Sequence, residues 1–215
     1  MNSYEEIVKK GTTTVGIVCK DGIILAADKR ATAGYGLIVN KNVEKVQIVT
    51  DNMAVTTAGN VSDIQLIIKL IKAEIALKKM RLTKEPAVKE VANLFAGIIY
   101  YNVRKFSWIP GITAFILGGK DDSGFHLYEL SPDGSVMEVE DYVSDGSGMV
   151  MAIGVLDTLY KKDIMINDGV KLAVKAINAS IQRDAASGEG IDVFAITKTG
   201  IKKVFTKKLE TNIQA

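Results

Sequence analysis

Apolar and polar positions along the chain repeat with two different periods, and the switches between them mark out its elements. Residues 12–20 (TTTVGIVCK) are rich in β-branched side chains and read as a strand. Asp21-Gly22 is a hairpin signal, and GIILAAD returns as a second strand. Residues 31–36 (ATAGYG) are small and glycine-containing, hence a loop or bent strand, and VQIVT (46–50) and MAVTTAG (53–59) flank Asp51-Asn52 as a second hairpin. The period then becomes helical. Ser62-Asp63-Ile64-Gln65 has capping-box spacing, and Ile64, Ile67, Ile68, Ile71 and Ile75 follow on one stripe. Thr83 is placed to cap a second helix, with Pro86 in its first turn and Val88, Val91, Ala92, Phe95, Ile98 and Ile99 on its apolar face. The short connection between them makes the two helices antiparallel neighbours. Strands resume at 112–119, 125–130 and 136–140, separated by the turns KDDSG and SPDGS. Residues 144–148 (SDGSG) read as a polar loop before the apolar MVMAIGVLDTLY. Asn167 is placed to cap a helix carrying Val170, Ala173, Val174, Ile177 and Ile181. RDAASGEG (183–190) is a polar turn, strands at 191–197 and 202–206 close the fold, and KKLETNIQA reads as an exposed tail.

Strands, a helix pair, strands, a helix pair and strands follow one another in this order. Hairpin-linked strands point to antiparallel sheets, and paired helices argue against a parallel βαβ fold. The economical arrangement is an α+β, four-layer αββα sandwich: two antiparallel sheets face to face, with helices on both outer faces. No repeat, linker or low-complexity stretch divides the 215 residues, so a single domain is expected.

Composition narrows the chemistry. With 27 basic and 25 acidic residues the charge is too balanced for a nucleic-acid binder. No apolar run reaches the ~18 residues that a membrane helix needs, and MNSYEEIVKKG does not read as a secretory signal. Cys19 alone forms no intrachain disulfide and fits a reducing compartment, so a cytoplasmic location is expected. The one histidine, His126 in FHLYEL, excludes a zinc site built on two or three histidines, so neither a metal nor another cofactor is expected. It reads as a strand residue near an edge, and a hydrolase built on this sequence needs a base other than imidazole.

Gly11-Thr12-Thr13-Thr14-Val15-Gly16 admits two readings. Threonine is an ordinary strand residue, and a threonine-rich strand start accounts for the segment. Alternatively, cleavage between Gly11 and Thr12 makes Thr12 N-terminal. Its α-amine, with a pKa near ~7.7–8.0, then accepts the proton of the adjacent hydroxyl without help from a histidine. On the residues alone both stay open.

TTTVGIVCKDGIILAADKRAT resembles the start of the proteasome β-subunit family, archaeal in type, whose members are N-terminal-nucleophile hydrolases. TTAGNVSD (56–63), SDGSGM (144–149), GVLD (154–157) and RDAASGEGIDV (183–193) continue the similarity in the family's order, over nearly the whole chain. The resemblance implies a propeptide at 1–11, autocleavage at Gly11-Thr12 and a mature domain at 12–215. It implies Thr12 as nucleophile and Asp28 as the acidic partner of an active-site lysine. That lysine is best matched by Lys45. The segment between Thr32 and Lys45 is one residue longer than the family pattern, which makes Lys41 a competitor; the onward distance to TTAG favours Lys45. Ser147, Asp184 and Ser187 resemble the polar group around the N-terminal amine. Gly59 resembles the residue whose N–H stabilises the oxyanion. Thr32 and Gly59 resemble positions that pair with an extended substrate. Thr57, with Ala31 nearby, falls in the pocket for the side chain before the cleaved bond, and suggests a moderately sized apolar preference.

The implied activity is threonine endopeptidase action on unfolded proteins inside a closed chamber, without a cofactor. The implied partners are a homo- or hetero-heptameric β ring stacked on α-type rings and, indirectly, a regulatory ATPase ring, with no nucleic acid or membrane. Phe106 and Trp108 would pack against neighbouring rings or in the core. Three other readings rank lower. One is a latent, structural β-type subunit that needs another β-subunit for processing. The second is the bacterial two-ring relative, which lacks the RDxxSG segment. The third is a small-molecule amidase of the same chemistry.

Overall fold

The computed structural model describes residues 11–33 and 36–209. Residues 1–10 of the expected leader 1–11, two residues of the 31–36 loop and the last six residues of the tail lie outside them. Among the described residues, β1 (Thr14–Cys19) and β2 (Gly22–Asp28) form the hairpin read from the sequence, with Cys19 opposite Gly22 and Thr14 opposite Ala27. They are the centre of a five-stranded antiparallel sheet. β10 (Tyr142–Asp145) flanks β1, while β11 (Gly190–Thr197) and then β12 (Gly200–Lys208) flank β2. The second five-stranded antiparallel sheet runs in sequence order through β5 (Val46–Thr50), β6 (Met53–Gly59), β7 (Thr113–Asp121), β8 (Gly124–Leu130) and β9 (Val136–Glu138). A small hairpin of β3 (Ala31–Ala33) and β4 (Leu37–Asn40) stands apart from both sheets.

Helices α1 (Val61–Leu82) and α2 (Val88–Arg104) cover the second sheet, where Ile67, Ile71, Val91 and Phe95 pack on Val55, Phe115 and Leu117. Helices α3 (Met149–Leu159) and α4 (Ile166–Arg183) cover the first, where Leu156, Ala173 and Ile177 pack on Val15, Ile17 and Ile24. Between the sheets lie Ile23, Leu25, Ala54, Ile116, Leu127, Phe194 and Ile196. The αββα sandwich is therefore present. It also explains why GIILAAD shows no polar alternation: every residue of β2 is buried, because Ile23 and Leu25 face the other sheet while Ile24 and Ala26 face the helices.

Several local expectations are corrected. The N-cap of α1 is Asn60, not Ser62; its Oδ1 accepts the Ser62 N–H at 3.3 Å, so the helix starts ahead of the capping-box pattern. Thr83 closes α1 instead of opening α2. It sits at φ 51° and its N–H donates to the Lys79 carbonyl at 2.9 Å. Pro86 precedes α2, whose entry is held by Glu90 accepting the Ala87 N–H at 3.0 Å and Asp121 accepting the Val88 N–H at 2.9 Å. Asn167 lies inside α4, and the cap comes from the β1–β2 turn: Asp21 Oδ1 accepts the Ile166 N–H at 2.9 Å. Ser144 and Asp145 belong to strand β10, which leaves only 146–148 as the polar turn. Lys207 and Lys208 extend β12 instead of starting a tail. Phe106 and Trp108 are 93% and 81% exposed and form no part of the core. His126 lies on β8, beside edge strand β9, with its ring nitrogens on Ser123 and Glu138. Among the described residues no helix is long and apolar enough to cross a membrane.

Candidate active site

The β1–β2 register brings Thr12 and Thr13 to the same end of the first sheet as Asp28. The Asp28 N–H donates to the Thr13 carbonyl at 3.2 Å, and the Thr13 N–H donates back to Asp28 Oδ1 at 3.0 Å. Asp28 Oδ2 accepts the main-chain N–H groups of Arg30 and Gly188 at 3.0 and 2.9 Å. These main-chain donors satisfy the oxygens of the buried carboxylate.

Lys45 enters from the residue before β5. Its Nζ donates to Asp28 Oδ1 at 2.7 Å and to Thr12 Oγ1 at 3.0 Å. Its backbone is fixed by β6, since the Thr57 N–H and hydroxyl both donate to the Lys45 carbonyl, at 2.9 and 3.1 Å. Burial pushes the Lys45 pKa below the ordinary lysine value, and the Asp28 carboxylate works against that shift. Lys41, the competitor, is exposed on the turn after β4. The one-residue surplus in this segment therefore lies ahead of a lysine that reaches Thr12.

Thr12 is buried, and its hydroxyl donates to the Gly11 carbonyl at 2.7 Å. Its N–H donates to Ser147 Oγ at 3.2 Å. Ser147 and Ser187 both donate to Asp184 Oδ2, at 2.5 and 2.6 Å. Asp184 is presented by the C-terminal end of α4, where its N–H bonds the Ser180 carbonyl at 2.7 Å. Gly146 must lack a side chain: its φ is +97° and a Cβ there would lie 2.1 Å from the Thr12 carbonyl oxygen.

Ala31, Thr32, Thr57 and Gly59 share a cavity of about 40 Å³ with Thr12 and Lys45. Thr32 Oγ1 accepts the Gly11 N–H at 3.0 Å. A larger cavity of about 970 Å³, lined by Met53, Lys84, Pro86 and Asp121, contains none of these groups. All the candidate residues read from the sequence thus come together around Thr12, apart from Lys41. Sequence reasoning missed the rest of the setting. Val43, Val61 and Ile64 supply the apolar wall of the cavity. Arg30 clamps the 183–190 turn through the Ala185 carbonyl at 2.7 Å and Glu189 at 3.1 Å. Val61 and Ile64 belong to the first turn of α1; the sequence pattern put Ile64 on the helix stripe but left Val61 outside the helix.

Chemically, the cluster sets a threonine hydroxyl beside a buried ammonium and against the carbonyl of the preceding peptide. An ammonium at that distance stabilises an alkoxide and lowers the barrier to attack on a carbonyl carbon. Fold and cluster together define an αββα sandwich with a threonine-centred site at the head of its first strand. The family model for proteasome subunits matches residues 8–196, and the chain belongs to that family. It is 42% identical over 207 residues to the proteasome subunit beta of Ferroglobus placidus, covering 96% of each chain. It is 43% identical over 201 residues to proteasome subunit beta 2 of Pyrococcus furiosus, covering 94% of each. Against the proteasome subunit beta of Archaeoglobus profundus it is 42% identical over 200 residues, covering 93% of this chain and 91% of the relative.

Proposed function

We propose that this chain is a catalytic β-type subunit of a 20S proteasome core, a threonine endopeptidase that degrades unfolded proteins to peptides. The observation that carries the reading is Lys45 Nζ at 3.0 Å from Thr12 Oγ1, with Asp28 behind it at 2.7 Å. In maturation, Thr12 Oγ attacks the Gly11 carbonyl carbon, the Gly11–Thr12 amide gives way to an ester on Oγ, and water hydrolyses that ester. Residues 1–11 leave with a new carboxylate, and domain 12–215 begins with a free amine. In turnover, Oγ attacks the substrate carbonyl as its proton passes to the amine. The Gly59 N–H faces the oxyanion, and the same proton goes to the departing amine of the substrate. Water then releases the acyl group. Ser147, Asp184 and Ser187 orient the Thr12 amine and the water.

Thr32 and Gly59 pair with the extended substrate. Ala31, Thr57, Val43, Val61 and Ile64 favour a moderately sized apolar side chain before the cut bond. The subunit works in heptameric β rings stacked on α-type rings in the cytoplasm, fed by an ATPase ring, and exposed Phe106 and Trp108 suit burial against neighbouring subunits. The test is the intact mass of the subunit, alone and co-expressed with α-type partners. Loss of residues 1–11 is expected on assembly. A full-length mass in the assembled particle, without peptide hydrolysis, would identify a latent structural subunit instead.

A further inference from the structure

Thr13 stands next to the nucleophile, and the mechanism above leaves it unused. It is completely buried, and its main chain and side chain face different halves of the site. The main chain exchanges two hydrogen bonds with Asp28, the carboxylate that holds Lys45. The side chain turns the other way and places Oγ1 2.7 Å from Ser187 Oγ. The direction of that bond is fixed. Ser187 has one hydroxyl proton and gives it to Asp184 Oδ2, and a carboxylate only accepts. The proton between Thr13 and Ser187 therefore comes from Thr13. A directed chain results: Thr13 O–H to Ser187, Ser187 O–H to Asp184, and on the other side Thr12 N–H to Ser147 and Ser147 O–H to the same carboxylate oxygen. The loop carrying Ser147 is shaped around this hydroxyl, because a Cβ on Gly148 would lie 2.0 Å from Thr13 Oγ1.

We propose that Thr13 is a positioning residue whose hydroxyl locks Ser187 as a donor to Asp184 and so sets the basicity of the Thr12 amine. The proposal rests on the reading of Thr12 as an N-terminal nucleophile. Hydrogen bonds from Ser147 and Ser187 spread the negative charge of Asp184. Without the Thr13 hydroxyl, the Ser187 oxygen loses its buried donor and its proton is free to turn away. Asp184 then presents more of its charge to the amine, which keeps its proton to higher pH. Because the reaction needs the neutral amine, the acidic limb of kcat/KM moves to higher pH. Among the described residues, the other charged groups around Thr12 are Lys45 before β5, Asp28 at the end of β2 and Arg30 after it. None of them bonds the Thr13 hydroxyl. Asp145, at the end of β10, pairs with Thr14.

The test compares wild type, Thr13→Val and Thr13→Ser, each assembled with its α-type partner and checked by intact mass, through kcat/KM against pH on a fluorogenic peptide. Valine keeps the volume and branching but not the donor. Thr13→Val is expected to move the acidic limb up by about one pH unit, with a roughly tenfold loss of kcat/KM below it and an unchanged KM. Thr13→Ser is expected to restore both. Where Thr13→Val fails to assemble or keeps residues 1–11, Thr13→Cys, a weaker donor of similar size, carries the same comparison with a smaller shift in the same direction. A limb that stays at the wild-type pH, or a loss that serine does not rescue, makes Thr13 a packing residue and overturns the assignment while leaving the hydrolase reading intact. An uncleaved, inactive wild-type particle is a different result and removes the hydrolase reading itself.

Discussion

Replacing Lys45 by methionine removes the ammonium that donates to Thr12 Oγ1 while keeping most of the side-chain volume. At 3.0 Å, an ammonium and a developing alkoxide attract by about 5.5 kcal/mol at an effective dielectric near 20. Loss of that attraction corresponds to roughly four decades in rate. Solvent and the remaining dipoles recover part of it, so kcat/KM should fall by about 10³–10⁴. The substitution also strips Asp28 of its ion-pair partner. Breaking a buried pair costs about 3–5 kcal/mol, and the lower end applies here because Thr13, Arg30 and Gly188 still donate to the carboxylate. The assay is single-turnover acylation by a peptide electrophile on assembled particles, with a melting curve to separate lost chemistry from lost structure. Lys41→Met, on an exposed turn, should stay within a factor of two of wild type. A Lys45→Met particle that melts normally and reacts within tenfold of wild type would refute the reasoning, most directly if Lys41→Met were the damaged variant.

Five further outcomes are expected. Thr12→Ala should leave the fold intact and abolish both self-cleavage and hydrolysis, read by mass and by peptide turnover; residual turnover above a few per cent would remove Thr12 from its role. Gly11→Ala should block self-cleavage, read by mass, because a Cβ there would lie 1.6 Å from the Ala186 Cβ and 2.7 Å from its Cα. Activity should fall on the alkaline side at a pH below the ordinary lysine range, since burial lowers the Lys45 pKa and the ammonium is lost as pH rises through that lowered value. Asp28→Asn, which removes the larger of the two carboxylate effects opposing that shift, should bring the fall to still lower pH. Asp21→Ala should cost about 1 kcal/mol in a melting experiment by uncapping α4, with little effect on rate.

The parts of the fold legible in the sequence are those fixed by local chemistry. Asp21-Gly22 and Asp51-Asn52 announce their hairpins because turn geometry depends on the residues in the turn. The isoleucine stripe of α1 shows its buried face for the same reason. The misread features depend on distant partners. Asn167 looks like a cap, yet α4 is capped by Asp21, 145 residues away in sequence. Tyr-Val-Ser-Asp becomes strand β10 only because β1 offers an edge to pair with. The site was legible as a set of family motifs, but its physics was not. Thr12 and Thr13 are adjacent threonines in one run, and nothing local distinguishes the one that meets Lys45 from the one that meets Ser187. Val61 was hidden by the misplaced start of α1, and Ile64 read only as one more residue of the buried stripe.

The site around Thr12 is closed by hydrogen bonds between distant parts of the chain, which ties its completion to the order of folding. Thr12 meets Ser147 across 135 residues, Asp28 meets Gly188 across 160, and Thr13 meets Ser187 across 174. Contacts of such separation form late, because the intervening loops must close before the contacts stabilise anything. A nascent or misfolded chain that already holds its β1–β2 hairpin still lacks the groups that complete the site. On the proposed reading, its threonine stays an ordinary hydroxyl until those distant groups close around it.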